Sequence, residues 1–435
     1  LFLSHQLKSV SMETVAGHYV QRGLLYANFD EYDLAIADYK YADSLLSVRY
    51  PEDSNSRMHI LLAMANCWYH KKDFAVAKKN YSHYSVLCKS KYGDQSMEYA
   101  NSLYYLANIE GFTNEKQVGC KDYRQAAILL KELIKKQLRY LPTNARTKYW
   151  NDLSDILWNM TAYAVKIGVR QESFACDAYN ALVFSKGLIL ESERSMRNLL
   201  RQSGTEEDLI LYNKMLLLQS RLTEVGRTTG KETENANELY FQIDQIDKQL
   251  ASKCSFYGNY TQFLNTQYED IKNALKEGEV AIDFTDFKLD SVHCYAAYIL
   301  RKEWEYPLLV PLFNQNQLDS LYNTVNNITD RLYHFPYSQS LLKLCWESLS
   351  HYIHMGETVY YVPAGTLHQL SLESVAVTSD SILGDQYHFI RLSSTREICR
   401  RELQQTGHTS AVLYGGLYYD CLLYTSPSPR DTERS

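Results

Sequence analysis

The sequence predicts an α plus α/β protein, in which an N-terminal array of paired helices is followed by a smaller α/β region. Glycine and proline are scarce, with 18 Gly and 8 Pro among 435 residues, and this favours long helices over a turn-rich β protein. A pattern of small and aromatic residues recurs through the first third of the chain. Near residue 276 the spacing of apolar residues changes from the helical period to short, strand-like runs.

The repeated pattern is carried by small residues at fixed intervals. The interval from Ala35 to Ala77 is 42 residues, and the interval from Ala77 to Ala126 is 49, which is 42 plus a seven-residue insertion. Small residues at such intervals mark the places where two antiparallel helices approach closely, and aromatic residues fill the space between neighbouring pairs. The other repeated positions are Gly23, Ala65 and Ala107 among the small residues, and Tyr32, Phe74 and Tyr123 among the aromatic ones.

This pattern resembles the tetratricopeptide repeat (TPR) in a longer variety of 42 residues. Units of this kind cover residues 10–200, and a fourth, more degenerate unit lies at about 147–190. The resemblance implies a helical solenoid whose concave face binds a peptide or a protein, so we expect a protein partner there. A plain helical bundle is the alternative interpretation. Stacked repeats need capping at both ends, so we expect a neighbouring domain downstream of the array.

The spacing of apolar residues in 201–275 predicts a helical hairpin that links the array to the next region. Leu209, Tyr212, Met215 and Leu216 follow the i, i+3, i+4, i+7 spacing of an amphipathic helix. A polar turn is expected at 226–230, and a second amphipathic helix follows it.

The region from 276 to 420 predicts strands that alternate with helices, which is typical of α/β proteins. Prolines in the third strand indicate an edge position, and Ser394 or Thr395 is the expected N-cap of the helix that follows the strand beginning at Phe389. The expected strands lie at 277–284, 294–301, 307–313, 358–362, from 389 onward and at 411–416, with a helix at 341–352 and a turn at 363–365.

Several of these segments, taken in order, resemble the CHAT family of caspase-like cysteine-peptidase domains, which are attached to TPR arrays in bacteria. The segments are AYNALVFSKGLILES at 178–192, EGEVAIDF at 277–284, YYVPAGTLHQLSLESV at 360–375, FIRLSSTREI at 389–398 and LYGGLYYD at 413–420. The resemblance implies a TPR-gated cysteine endopeptidase and a partial caspase-like α/β domain at 276–420. One departure is Ala364, which stands where the family has Asp in a Pro-Asp-Gly turn.

The resemblance also implies a Cys–His dyad, with His in an Ala-Thr-His-Gly-like strand end and Cys in a Ser-Ala-Cys-like strand end. Neither motif occurs in this sequence. His293 and Cys294 are neighbours on a strand and point to opposite faces, and nine residues separate Cys345 from His354, which places them on roughly opposite sides of a helix. His368 is interpreted as a structural hydrogen-bonding residue. We therefore assign no catalytic, cofactor-binding or metal-ligating residue and no cofactor, and we expect the chain itself to be inactive.

A non-catalytic TPR interaction scaffold or signalling adaptor is the alternative function. For both functions, the composition argues against nucleic acid as a partner. The chain has 45 Lys and Arg against 51 Asp and Glu, which gives a formal net charge of −6. No apolar stretch of about 18 residues and no secretory signal is visible, so we expect no membrane partner and a cytoplasmic location. The cysteines are scattered, without metal-ligand spacing, as in buried core positions of a reducing compartment.

The last residues have a different character. CLLYTSPSPRD at 421–431 resembles a translated sequencing adapter. We therefore expect residues 421–435 to be non-native and the parent protein to be truncated at this point, and we leave them out of the fold prediction. A genuine Ser/Pro-rich tail is the alternative.

Overall fold

The computed structural model describes residues 11–113, 115–138, 141, 143–170, 172–227, 233–257, 262–323 and 333–404. The region before the first strand is helical. Its α-helices are α1 (Met12–Asn28), α2 (Tyr32–Ser47), α3 (Asn55–His70), α4 (Phe74–Tyr92), α5 (Met97–Phe112), α6 (Lys116–Leu138), α7 (Thr143–Leu153), α8 (Asp155–Ile167), α9 (Ser173–Ser185), α10 (Leu188–Ser203), α11 (Glu206–Arg227), α12 (Thr233–Tyr257) and α13 (Tyr268–Ala274).

Side-chain caps explain where several of these helices begin. The Ser11 hydroxyl, the Asp73 carboxylate and the Ser96 hydroxyl each accept a hydrogen bond from a backbone N–H in the first turn of α1, α4 and α5. These bonds satisfy donors that have no partner inside the helix. Among the described residues no helix combines the length and the apolar character that crossing a membrane requires.

Consecutive helices of the N-terminal part pair in antiparallel fashion. Arg49, just after α2, donates to Glu13 at the start of α1, whereas Arg22 in the middle of α1 forms a two-pronged pair with Asp38 in the middle of α2. The five repeated alanines (Ala35, Ala65, Ala77, Ala107 and Ala126) are all completely buried. The predicted close contact at the small residues is therefore confirmed, while their winding into a solenoid stays a prediction.

Glycine is needed at one of these contacts. A Cβ atom on Gly23 would lie 2.8 Å from the ring of Tyr39, which is itself buried in the facing helix. Real Cβ atoms do not approach carbon so closely, so the spacing between α1 and α2 depends on the missing side chain.

A mixed five-stranded sheet follows the helices. Its strands are β1 (Glu279–Leu289), β2 (Val292–Arg301), β3 (Leu308–Asn314), β4 (Thr358–Val362) and β5 (His388–Arg391), in the spatial order β3-β2-β1-β4-β5. The pairs β3–β2 and β2–β1 are antiparallel, and the pairs β1–β4 and β4–β5 are parallel. The sequence prediction of a helical part followed by an α/β part is thus confirmed, and β3, which contains Pro311, is the expected edge strand.

The sheet lies between two helical layers. One face, which includes Ala281 and Tyr298, shares a hydrophobic core with α8 and α9, and the Tyr298 hydroxyl lies 3.1 Å from the hydroxyl of Thr161 in α8. The other face, which includes Ile282, packs against α14 (Gln315–Asn323), α15 (Ser338–Cys345) and α16 (Glu347–Ser350). The helices of the N-terminal part therefore supply one of the two outer layers of the α/β part.

The loop after α8 also covers the exposed edge of the sheet. The backbone N–H of Leu309 in β3 donates to the carbonyl oxygen of Arg170 at 2.8 Å. An edge strand with an occupied N–H is a poorer template for pairing with another chain.

The predicted helical hairpin is present as α11 and α12, which share a small core with α10. Lys253 near the end of α12 pairs with the buried carboxylate of Asp208 near the start of α11, as expected for an antiparallel pair. The prediction of Gly226 in the turn is wrong, because this residue belongs to α11.

One helix prediction is wrong. The helix expected over 341–352 is broken at Trp346, whose backbone φ of −123° is not helical, because its indole ring packs edge-on against Tyr387 and Phe389 at 5.2 Å. The helix expected after β5 is present as a 3₁₀ helix (Thr395–Gln404), and the hydroxyl of Ser394, one of the two expected N-caps, accepts a hydrogen bond from the backbone N–H of Arg396. The strand predicted at 411–416 and the tail at 421–435 lie outside the described residues.

Candidate functional site

A cavity of about 330 Å³ lies where the helical layer meets the carboxyl end of β4. Leu157, Trp158 and Thr161 of α8 form one wall, the end of α9 forms a second, and the turn at 363–365 forms a third. Strand β1 continues past the end of β4 and contributes Thr285. In α/β sheets, ligands bind at the carboxyl ends of parallel strands, so this is the place where the fold favours a site.

The end of α9 is attached to the sheet by one buried lysine. The Nζ atom of Lys186 donates to Oδ1 of Asp283 at 2.6 Å and to the carbonyl oxygen of Phe284 at 2.5 Å. The carbonyl oxygens of Val362 and Pro363 lie 3.4 and 3.3 Å away. An ammonium group has three donors, so these acceptors use all of them. Lys186 therefore ties helix to sheet and offers no free amine for chemistry.

The second oxygen of Asp283 connects this lysine to the segment after β5. Asp283 is completely buried, and its Oδ2 atom accepts a hydrogen bond of 2.8 Å from the Thr395 hydroxyl. The Tyr179 hydroxyl of α9 lies 3.0 Å from the same Thr395 oxygen, and Arg396 donates to the backbone carbonyl of Lys186. We call these five residues the junction network. It satisfies a buried carboxylate completely, as buried charges require.

The junction network joins segments that are far apart in the chain but were quoted together for the family resemblance. FSKG at 184–187 supplies the lysine, VAIDF at 280–284 supplies the carboxylate, and SSTR at 393–396 supplies the threonine and arginine. The carbonyls at the start of the turn 363–365 complete the set.

Sequence reasoning did not identify this network, although a signal was present. Lys186 and Asp283 are single charged residues inside otherwise apolar runs. Charged side chains in such runs are almost never buried unless they are paired.

The turn at 363–365 is held in place by a tyrosine of β2, which is separated from β4 by β1 in the sheet. Gly365 has a φ of +50°, and a Cβ atom there would lie 2.7 Å from the hydroxyl oxygen of Tyr295. That hydroxyl donates to Gln315 at 2.7 Å and accepts from the N–H of Thr366 at 3.3 Å. Only glycine satisfies both the backbone angle and the space. Ala364, which replaces the Asp of the family, is buried among apolar side chains.

His368 lies at the mouth of the cavity. Its backbone carbonyl accepts a hydrogen bond from Arg391 at 2.8 Å, which does not depend on the histidine side chain. Its imidazole makes no hydrogen bond to any described residue. Partial burial, together with the positive charges of Lys186 and Arg391, lowers the pKa of His368 below its usual 6.5, so the ring is neutral at pH 7.

The other sequence candidates do not come together. His293 lies 2.9 Å from the carboxylate of Asp286, while the adjacent Cys294 packs on the other face of the sheet, as predicted. Cys345 is buried at the end of α15, and His354 lies beyond α16, where its backbone N–H donates to Glu357. No Cys–His pair forms from these residues.

Six of the described thiols are unsuited to nucleophilic attack. Burial raises the pKa of Cys345 to about 12 and the pKa of Cys67 to about 11. The pKa is raised in the same way at Cys88, Cys120, Cys176 and Cys294. A catalytic cysteine needs the opposite shift, because the thiolate is the nucleophile. In the described ranges no three acidic, His or Cys side chains are grouped as a metal site would require.

Comparisons of the sequence with known proteins do not identify a family for this chain. No family model matches the chain, and no curated protein matches it. The relationship to the CHAT family stays a prediction that rests on the quoted motifs.

Proposed function

We propose that this chain is part of a bacterial, cytoplasmic cysteine peptidase of the CHAT type. In this proposal the TPR-like array of residues 10–200 binds a protein partner, and the α/β region of residues 276–420 belongs to the peptidase domain. The observation that carries the proposal is the junction network. The motifs that resemble the family meet there, around one cavity at the carboxyl end of a parallel strand pair.

The junction network also supports gating of the peptidase by the array. Helix α9 packs in the same core as α6 and α8, and it ends in Lys186, which is bonded to both β1 and the turn after β4. A partner that shifts α9 would therefore move the loops at the carboxyl end of the sheet. The resemblance to the CHAT family implies that the catalytic His and Cys also lie at strand ends.

The first helix pair supports a protein partner. Phe29 is 77% exposed and Leu25 is 58% exposed, and Leu24, Leu34 and Val48 on the same pair are also exposed. Groups of exposed apolar side chains are typical of protein-interaction surfaces.

The peptidase chemistry is assigned to no residue of this chain. Neither dyad motif occurs in residues 1–435, and the described thiols with a shifted pKa are shifted upward. We therefore propose that residues 1–435 alone do not cleave peptides. The catalytic pair would come from sequence that these residues do not include.

The decisive experiment uses the complete gene product. The proposal expects a His-containing strand end and then a Cys-containing strand end in its sequence, and it expects a Cys→Ala change at the latter to abolish cleavage of a bound partner. A gene product that lacks either strand end, or one that still cleaves after the Cys→Ala change, would overturn the peptidase assignment.

A non-catalytic interaction scaffold is the second candidate, and the exposed apolar side chains of the first helix pair, Leu25 and Phe29 among them, favour it because they suit a protein partner without any catalysis. The scaffold requires that residues 10–200 alone retain the partner. It also requires that replacing any cysteine of the complete protein has no effect on its cellular role. A loss of function on a single Cys→Ala change excludes the scaffold.

A further inference from the structure

We infer that the cavity between α8, α9 and the turn at 363–365 is a binding site for an uncharged, mostly apolar group that carries one hydrogen-bonding atom, of which a phenol is the simplest example. The inference rests on the cavity alone. Its failure would leave the peptidase proposal standing, and loss of the peptidase proposal would leave the cavity site standing.

The size and the walls of the cavity fit such a group. Its volume of about 330 Å³ lies at the lower end of the range of about 300–1,000 Å³ that is usual for small-ligand pockets. Leu157, Leu182, Val362 and Pro363 give it apolar walls. Trp158, which is 46% exposed, stands at its rim, where an aromatic ring can contact a ligand.

Thr285 supplies the polar contact. The residue is only 4% exposed, and its hydroxyl has no hydrogen-bond partner among the described residues. The hydroxyl oxygen is not one of the fully buried polar atoms, and Thr285 lines the cavity. A ligand in the cavity can therefore reach this oxygen. The neighbouring Thr161 differs, because its hydroxyl is bonded to Tyr298. A buried hydroxyl normally has a partner, so the Thr285 hydroxyl points to a ligand atom that donates or accepts there.

The charges around the cavity favour a neutral ligand. Lys186 forms an ion pair with Asp283, and the Asp286 carboxylate lies at hydrogen-bond distance, 2.9 Å, from Nε2 of His293. His368 at the mouth is neutral at pH 7, because burial and nearby cations lower its pKa. Both charged side chains that border the cavity are therefore already hydrogen-bonded to other groups, and a charged ligand would lose its hydration to reach a group that is already engaged.

A phenol-like group could come from a free small molecule or from a tyrosine side chain of a bound peptide. Two probes distinguish these sources, namely p-cresol and N-acetyltyrosinamide. Binding of both probes supports a peptide as the source, and binding of p-cresol alone supports a free molecule. Binding of neither probe overturns the inference.

The test measures binding of p-cresol, toluene and p-toluate to the full chain by saturation-transfer NMR and calorimetry. We expect p-cresol to bind about fivefold more tightly than toluene, which is the size of one net hydrogen bond. In Thr285→Val, which keeps the shape of the side chain, p-cresol should bind no better than toluene. An unchanged preference for p-cresol in Thr285→Val would overturn the role of the hydroxyl. Tighter binding of p-toluate than of p-cresol would overturn the neutral ligand.

A cavity-filling variant shows where the probe binds. Leu182→Trp should reduce p-cresol binding at least tenfold, because the larger ring occupies the cavity. Leu190→Trp is the matched control, since Leu190 is exposed on α10 and does not line the cavity. Equal binding of p-cresol to these two folded variants would place the probe elsewhere and overturn the site. If Leu182→Trp does not fold, Thr285→Val alone decides.

Discussion

The Nζ atom of Lys186 lies 2.6 Å from the Oδ1 atom of Asp283, and this ion pair joins the residue that caps the end of α9 to the middle of strand β1. Asp283 is completely buried, and its other oxygen is bonded to Thr395. Since the lysine also binds backbone carbonyls of two strands, the pair holds one helical layer, the sheet and the segment after β5 in a single arrangement. The stability of that arrangement can be tested at each contact.

Removing the lysine should destabilise the protein strongly. Lys186→Met leaves the Asp283 carboxylate buried without a counter-charge, and we expect a loss of about 3–5 kcal/mol in the free energy of unfolding. Urea titration followed by circular dichroism measures this loss. Lys248→Met is the matched control, because Lys248 is exposed and its pair with Asp244 contributes at most about 1 kcal/mol. Equal effects of the two changes would contradict a structural role for Lys186.

The turn beside the cavity should tolerate no side chain at Gly365. Gly365→Ala meets both a positive φ and the Tyr295 hydroxyl. Gly278→Ala is the control, because Gly278 has a φ of +76° but no atom within 4 Å of the new Cβ. We expect Gly278→Ala to cost about 1–2 kcal/mol for the backbone conformation, and Gly365→Ala to cost at least about 1 kcal/mol more for the contact. Thermal melts of the two variants give the difference, and identical melts would show that Tyr295 does not restrict the turn.

Two glycines of helix α1 should respond in opposite directions. Gly17 has open space around it, so Gly17→Ala should stabilise the helix by about 0.5–1 kcal/mol. Gly23→Ala places a methyl group 2.8 Å from the buried Tyr39 ring, and we expect a loss of about 1–3 kcal/mol. Denaturant titrations decide the signs. A stabilising Gly23→Ala would mean that α1 and α2 do not approach as closely as the structure indicates.

The buried pair of Arg301 and Glu357 should make stability depend on acid pH. Burial by itself would raise the pKa of Glu357, but hydrogen bonds from Arg301 and from the His354 backbone, with the Arg301 charge, lower it below its usual 4.5. A lowered folded-state pKa contributes stability that is full above the unfolded value of about 4.3 and is lost as the pH falls through the folded value. Glu357→Gln should therefore be less stable than the parent protein at pH 7, and the gap should narrow as the pH falls below the unfolded value and close below the lowered pKa of the folded protein.

The control for this pH dependence is Glu303→Gln. Glu303 also pairs with Arg301, at 2.5 Å, but it is exposed, so its change should cost at most about 1 kcal/mol. Unfolding curves at several pH values compare the three proteins. A gap between the parent protein and Glu357→Gln that does not change with pH would show that the carboxylate is not held in its charged form.

The spacing of apolar and small residues predicted the secondary structure well in segments where the buried residues recur with the period of a helix or a strand. The repeated alanines are buried, and the strand expected at 358–362 is β4 to the residue. The pattern failed where a single large side chain needed a distant partner. Apolar residues through 341–352 fit a continuous helix, but docking of the Trp346 ring on Tyr387 and Phe389 breaks it.

The candidate site was less accessible to prediction, because its parts are distant in the chain. Asp283 lies 97 residues from Lys186 and 112 from Thr395. The sequence around each of these residues does not indicate which distant residue it contacts. Thr395 and His368 were singled out in the sequence, Thr395 only as a possible N-cap. His368 lines the cavity, although its side chain makes no hydrogen bond to a described residue.

The sequence by itself determined the two structural parts, the paired helices with their small contact residues, and the strands of the sheet, because hydrophobic period and residue size act over a few turns of chain. Only the tertiary structure decided that α8 and α9 cover one face of the sheet and that Lys186 meets Asp283 there. It also decided that a cavity lies beside them, lined by a Thr285 hydroxyl that has no partner in the described part of the chain. These features depend on how three layers stack. The stacking depends on how buried side chains of elements that are distant in the chain pack together. The local spacing of apolar residues contains no information about this packing.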